Sequence, residues 1–226
     1  NLKFFCCFCL FGMEMSQIPN EKPGGSTSAG PPVKETGDNT MPNPLLRRVP
    51  PQEMSHKLRT AYEESLSLQT SKGGDATFFE VGANAPELME WYSEEFYGKL
   101  FYGGRVDIKT KELMRYRLSM SHGCAFCNKG NIEDARSAGI TEKQLDNIMN
   151  ENCNAFSEKE TAVLRLVDEI VLQNMKGNLS GKLYNSLRKY FTDAEIFELG
   201  MVASLMTGMA KFLFVYDLVE KEDNCP

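Results

Sequence analysis

The 226-residue sequence has no run of lysine and arginine interleaved with aromatics, and 31 acidic against 25 basic residues leave a net charge of −6. A nucleic-acid binder needs a basic face to neutralise phosphates, so nucleic acid is not an expected partner. The even cysteine spacing of a secreted disulfide framework is missing too, since the seven cysteines stand at 6, 7, 9, 124, 127, 153 and 225. That distribution fits a reducing compartment, and a cytoplasmic location is expected. No alternation of apolar and polar residues bounded by a hairpin turn occurs, apart from a short run at Thr77-Phe78-Phe79-Glu80-Val81. An extended sheet is thereby excluded. Neither an initiating Met nor a small-residue cleavage site accompanies the apolar, aromatic residues 1–12. They read as leader sequence ahead of Met13 or Met15 rather than as a signal peptide.

Residues 16–51 are Pro, Gly, Ser, Thr, Asn and charge, punctuated by PGG, GPP, PNP and VPP. Too little apolar surface is present there to offset the entropy of ordering the backbone. Residues 1–51 are therefore expected to be leader or disordered tail, without catalytic residues. Glu14, Glu21, Glu35 and Asp38 argue against a transit peptide, which is poor in acids. Residues 52–226 are expected to form a single domain, because the apolar positions concentrate there.

From His56 onward the period is helical, and the fold class expected is all-α. Pro86 suits the first turn of a helix reaching about Phe101, closed by Gly103-Gly104. A second helix runs from Ile108 to about Met120, and a third from about Cys124 to Ala138, with Gly139 as its left-handed stop. Thr141 with Gln144, Ser157 with Glu160, and Thr192 with Glu195 form capping boxes. Ile140 with Leu145 and Phe191 with Ile196 are candidate staples across the first and last of these starts. The helix after Ser157 presents Ala162, Val163, Leu166, Val167, Ile170 and Val171 inward.

The last helix, residues 193 to about 219, is apolar almost all round but carries Glu198, Lys211 and Asp217, which a lipid span rarely tolerates. It is expected to be the central buried helix, not a membrane span. Gly200, Ser204 and Gly208 recur every four residues within it, a stripe suited to close packing inside the domain or between subunits. Trp91, Tyr92, Phe96 and Phe101 read as core, Arg115 and Arg117 as surface ion-pairing residues, and Cys153 and Cys225 receive no role.

The most informative segment runs from Glu112 through His122-Gly123-Cys124-Ala125-Phe126-Cys127. Two thiols at C-x-x-C spacing can close a disulfide, and the free N–H groups of a helix start favour thiolate over thiol, Cys124 most of all. Structural zinc is the competing reading. It needs four ligands, and only His122, with Cys153 and Cys225 at a distance, is available to help, so no metal site is expected.

The stretch from Glu112 to Asn131 resembles the core motif of AhpD-like alkylhydroperoxidases, in the carboxymuconolactone decarboxylase family. In that motif a Glu precedes the first Cys of a C-x-x-C by twelve residues and a His follows the second by four. Glu112, Cys124 and Cys127 fall in place, and Asn131 stands where His is expected. The likeness covers most of residues 84–217, with Asn84-Ala85-Pro86 through Trp91, the segment from Phe156, and that from Phe191 resembling the family's neighbouring helices.

The resemblance implies that Cys127 attacks a peroxide and Cys124 resolves the sulfenic acid, with Glu112 and a His relaying protons. Asn131 accepts and donates hydrogen bonds but takes no proton near neutral pH, which leaves that relay incomplete. His122, just ahead of the turn, can serve as a helix-end cap or as a proton shuttle. Twelve residues of continuous helix would put Glu112 about 18 Å from Cys124 at roughly 1.5 Å per residue, so the chain must bend or fold back near Gly123.

A thiol-dependent peroxidase or disulfide oxidoreductase is the function expected, with a hydroperoxide substrate, an external dithiol reductant and no cofactor. No membrane is involved, and the resemblance implies a homo-oligomer, a trimer or hexamer. A lactone decarboxylase and a non-catalytic oligomeric redox sensor are the alternatives.

Overall fold

The structure is a computed structural model that describes residues 41–67, 69–70, 73–150 and 154–222. Cys6, Cys7, Cys9, Cys153, Cys225 and the expected leader lie outside these residues. Among the described residues nine α-helices follow in order: α1 His56–Ser67, α2 Thr77–Gly82, α3 Pro86–Trp91, α4 Ile108–His122, α5 Ala125–Ser137, α6 Glu142–Asp146, α7 Glu158–Ile170, α8 Gly181–Leu187 and α9 Asp193–Val215. Apart from a two-residue antiparallel pair, Gln69–Thr70 with Gly73–Gly74, the described elements are helical. The domain is all-α.

The local capping grammar is realised at each site where the sequence writes it. All three capping boxes form, at Thr141, Ser157 and Thr192. Gly123 (φ 68°) and Gly139 (φ 88°) take the left-handed backbone that ends α4 and follows α5, which glycine enters without a Cβ clash. Each staple pair lies within one apolar cluster, Ile140 with Leu145 and Phe191 with Ile196.

Several expectations are overturned by packing. The central helix is α4, not α9: residues 110–119 of α4 are all buried, between α5, α7 and α9. Helix α9 is long and apolar enough by composition to cross a membrane. Here its inner face joins the main core through Ile196, Leu199, Val202, Ala203 and Met206, while Phe197, Met201, Phe212 and Val215 are exposed. Its small-residue stripe does not pack inside the domain, because a Cβ built on Gly200 or Gly208 meets no atom within 4 Å.

Helix α9 also stops at Val215 rather than 219. Asp217 adopts φ 56°, and the bonds Leu218 N–H to Leu213 O (2.9 Å) and Asp217 N–H to Phe214 O (3.3 Å) make a Schellman motif with Asp in the usual glycine position. The expected helix 86–101 is α3 followed by a π-helical segment, Tyr92–Tyr102. With hydrogen bonds reaching five residues instead of four, each turn takes more chain, and the rings of Tyr92, Phe96, Tyr97 and Phe101 come into contact with one another. Trp91, at the junction, is exposed rather than core. The strand-like run 77–81 is helix α2, whose start is secured by the Asp75 carboxylate accepting the Thr77 N–H at 2.9 Å. Within residues 41–51, assigned above to the tail, Pro42 and Val49 are buried and the Val49 N–H donates to Glu80 O at 3.0 Å.

A charged network locks the centre. Lys111 and Glu198, both essentially unexposed, pair at 2.8 Å. Lys111 also donates to the Leu100 and Phe101 carbonyls, and Glu198 accepts the Arg105 and Val106 N–H groups. Burial alone would raise the Glu198 pKa, but Lys111 and the two backbone donors outweigh it and hold the carboxyl below its ordinary range. Gly104 is required here by space, since a Cβ would run into Glu198 Oε1 and Lys111 Nζ.

Candidate functional site

The reversal of chain direction at Gly123 builds the site. Helix α4 ends in the left-handed glycine, Cys124 becomes the N-cap of α5, and α5 packs back along α4. Cys124 and Cys127 are joined as a disulfide, with their Cα atoms 5.2 Å apart. The Cys127 N–H donates to Cys124 Sγ at 3.2 Å, so the buried sulfur takes the place of the oxygen that usually caps a helix start. Cys124 is 1% exposed, whereas Cys127 is half-buried. The sulfur that the helix start favours most as a thiolate is therefore the less accessible of the two.

Around the pair lies an apolar cluster drawn from three parts of the chain. Val49, Met54 and Leu58 come from the N-terminal segment, Phe78, Phe79 and Met89 from α2 and α3, and Leu218 and Val219 from the chain after α9, with Phe126 and Phe214 packed against them. The segment after α9 lies directly on the cysteine turn. Lys221 pairs with Cys124 in an antiparallel bridge, the Glu222 N–H donates to Gly123 O at 2.9 Å, and Asn128 Nδ2 donates to Glu222 at 3.1 Å. Asp75 ties this strap down by accepting the Glu220 N–H at 2.9 Å.

Glu112 is folded back onto α5, but at its far end. Its carboxylate is held by Arg115 at 2.6 Å, and Arg115 bridges to Asp134 of α5, also at 2.6 Å. Asp134 is seven residues beyond Cys127, about 10 Å along the helix at 1.5 Å per residue. Burial alone would lower the Arg115 pKa, but Glu112, Tyr102, Tyr97 and Asp134 hold it well above its ordinary value. Arg115 is buried, not at the surface, and lies over the Phe101 ring. Arg117 is buried as well, paired with Asp168 at 2.8 Å; neither arginine is the surface ion-pairing residue the sequence suggested.

His122 is 2% exposed, and burial pushes its pKa down to about 4. Its Nε2 accepts the Leu172 N–H at 3.3 Å, which anchors the chain after α7 to the end of α4. A neutral imidazole used this way is a poor proton donor near neutral pH. Asn131 lies one turn beyond Cys127 on α5 and is half-buried. Among the described residues no group of three or more His, Cys, Asp or Glu is placed to hold a metal.

A cavity of about 620 Å³ lies elsewhere, between α7, α8 and the outer face of α9, lined by Leu166, Ile170, Leu179, Tyr184, Phe197 and Met201. It includes none of the expected site residues. The strap residues Glu220, Lys221 and Glu222 were missed in the sequence because they form no motif: only the return of the chain after Asp217 brings them to the cysteines.

Comparison with known proteins agrees with this architecture. Residues 86–169 match the carboxymuconolactone decarboxylase family. The chain is 32% identical over 130 residues to the uncharacterized protein YdfG of Bacillus subtilis (strain 168), covering 56% of this chain and 82% of that protein. Among solved structures it is similar to an AhpD-core, peroxidase-related protein from Ralstonia eutropha JMP134, with TM-score 0.59 and 12% identity over 79% of this chain and 94% of that one. It is similar also to a cysteine-to-alanine variant of the debrominase Bmp8 in complex with 2,3,4-tribromopyrrole, with TM-score 0.61 and 11% identity over 80% of this chain and 93% of that one. At these identities the structural likeness concerns the fold.

Proposed function

The chain belongs to the carboxymuconolactone decarboxylase family, and from that membership, its AhpD-like fold and its cysteine pair we propose a thiol-dependent peroxidase or disulfide oxidoreductase. The observation that carries the reading is the joined Cys124–Cys127 pair at the start of α5, with one sulfur buried and the other half-buried. In the reduced protein the Cys127 thiolate attacks the terminal oxygen of a hydroperoxide. The O–O bond breaks, the alkoxide takes a proton and leaves as an alcohol, and Cys127 becomes a sulfenic acid. The Cys124 thiolate then attacks the Cys127 sulfur, and hydroxide leaves and is protonated to water. An external dithiol returns two electrons to the disulfide.

Protons in this cycle come from water. Asn131 replaces the family histidine, Glu112 is neutralised by Arg115, and His122 is neutral; slower peroxide turnover than in a chain with the full relay is part of the reading. The same observation favours a second reading, a redox sensor whose disulfide forms and breaks without rapid turnover. A cytoplasmic setting and a homo-oligomer, trimer or hexamer, complete the proposal, the latter supported by the exposed apolar face of α9.

The test is steady-state peroxide consumption with excess dithiol, comparing the unaltered chain with Cys124→Ser, Cys127→Ser and the double variant. Loss of turnover in all three variants agrees with the proposal. Turnover that survives in the double variant contradicts it. A lactone decarboxylase activity untouched by the double substitution would favour acid–base chemistry instead.

A further inference from the structure

Beyond α9 the chain doubles back along the cysteine turn, and Lys221 stands directly opposite Cys124 in an antiparallel bridge. The bridge is held by the Glu222 N–H bonded to Gly123 O at 2.9 Å and by the Phe126 N–H bonded to Glu220 O at 3.4 Å. Residues opposite one another in an antiparallel pair project on one face, with Cβ atoms roughly 4.5–5.5 Å apart. The Lys221 side chain therefore leaves the bridge on the face that carries the Cys124 sulfur. Its ammonium is held locally: Asp217 Oδ1 lies 3.1 Å away and the Phe214 ring centroid 5.9 Å away. Phe214 in turn packs against the cluster that contains Cys124, as does Cys127.

We propose that Lys221 is a positioning residue for the thiol chemistry, its cation fixed on the Cys124 face of the bridge so that it stabilises the Cys124 thiolate. The inference rests on the redox reading above and adds a named group to it. When an external dithiol reduces the pair, one of its thiolates attacks the accessible Cys127 sulfur. A mixed disulfide forms, the S–S bond to Cys124 breaks, and the bonding electrons leave on Cys124. The second thiol of the reductant, as thiolate, then attacks the reductant's own sulfur in the mixed disulfide and releases the Cys127 thiolate. The dithiol is oxidised and the protein pair reduced.

Exchange is faster when the leaving thiol is more acidic, so the groups around Cys124 set the rate. Two already favour its thiolate: the start of α5 and the Cys127 N–H on the sulfur. Several do not. Asp75 ahead of α2 and Asp217, Glu220 and Glu222 on the strap bring negative charge to this side of the domain, while Tyr62 of α1, Tyr92 of the π-helical segment and His122 of α4 are neutral near pH 7. Lys221 is the strap's answering charge, and its position opposite Cys124 gives it more effect there than on Cys127.

The test is the ultraviolet absorbance of the Cys124 thiolate against pH in the full chain carrying Cys127→Ser. Each protein is referenced to its counterpart with both cysteines replaced by serine, so that the other thiols cancel. Lys221→Met keeps the apolar stem and removes the charge, and its titration midpoint is expected to rise by about one pH unit, a tenfold loss of thiolate below the midpoint. Lys221→Arg should restore the original midpoint. Asp217→Asn, which suits the left-handed backbone at that position, frees the cation from its counter-ion and should lower the midpoint.

Reduction of the intact disulfide by dithiothreitol should slow about threefold in Lys221→Met. An unchanged midpoint in Lys221→Met overturns the inference, whatever Asp217→Asn does. If Lys221→Met does not fold, Lys221→Gln takes its place, and an unchanged midpoint there overturns the inference as well. If the unaltered disulfide resists dithiothreitol, the redox function fails instead, and the thiolate titration, which needs no turnover, still decides the role of Lys221.

Discussion

His122 stands two residues from Cys124, and its burial and its bond from the Leu172 N–H tie it into the fold. An unfolded histidine titrates near 6.5, and here burial lowers the value to about 4. The fold therefore prefers the neutral ring. That contribution to stability is present above about pH 6.5 and is lost as the pH falls from there toward about 4. Denaturant midpoints at pH 7 and pH 5 should differ more for the unaltered chain than for His122→Gln, and a similar difference in both contradicts the assignment. Arg115 makes the opposite case, a charge the interior needs. Arg115→Leu leaves Glu112 and Asp134 without their common partner and is expected to cost about 3–5 kcal/mol in urea unfolding. The cysteine pair and Gly123 were legible at this scale because their signals are local. The burial of Arg115 and Arg117 was not, because their partners Asp134 and Asp168 lie 19 and 51 residues away.

Helix starts were read correctly wherever a capping box wrote them, since the box is a four-residue hydrogen-bond pattern that needs no tertiary partner. Helix ends and interiors were less legible. Asp217 closes α9 where glycine is usual, and the widening at Tyr92–Tyr102 depends on aromatic packing across turns. The choice of central helix was missed for a related reason: α4 carries Lys111, Glu112, Arg115 and Arg117, which composition assigns to a surface. Glu198 supplies the prediction at this scale. Its carboxyl is held below its ordinary pKa, so its contribution to stability is present above the unfolded value and lost as acidification passes the folded one. Glu198→Gln should be less stable than the unaltered chain near pH 7, with the gap narrowing below about pH 4. A gap that stays constant with pH, followed by circular dichroism during acid unfolding, contradicts the account.

The whole molecule places an apolar cover over the thiol pair, built from residues 41–58, α2, α3 and the strap after α9. Much of this cover lies outside residues 86–169, where the family match falls, which explains why the motif alone did not reveal it. On the opposite side of the logic stands the outer face of α9, apolar and uncovered, with Phe197 72% and Val215 64% exposed. An apolar face of this kind is a common mark of association. The double variant Phe197→Glu with Met201→Glu is expected to elute as a monomer on size exclusion, where the unaltered chain elutes as a larger species. Equal elution of the two contradicts the oligomer proposal.

The most direct test of the central claim is a single turnover. The pre-reduced chain is mixed with cumene hydroperoxide, and peroxide loss and intact mass are followed together for the unaltered protein and Cys127→Ser. The account predicts stoichiometric consumption and loss of two hydrogens, mapped to Cys124 and Cys127, in the unaltered chain alone. Peroxide left untouched by the unaltered protein, or consumed equally by Cys127→Ser, would contradict it.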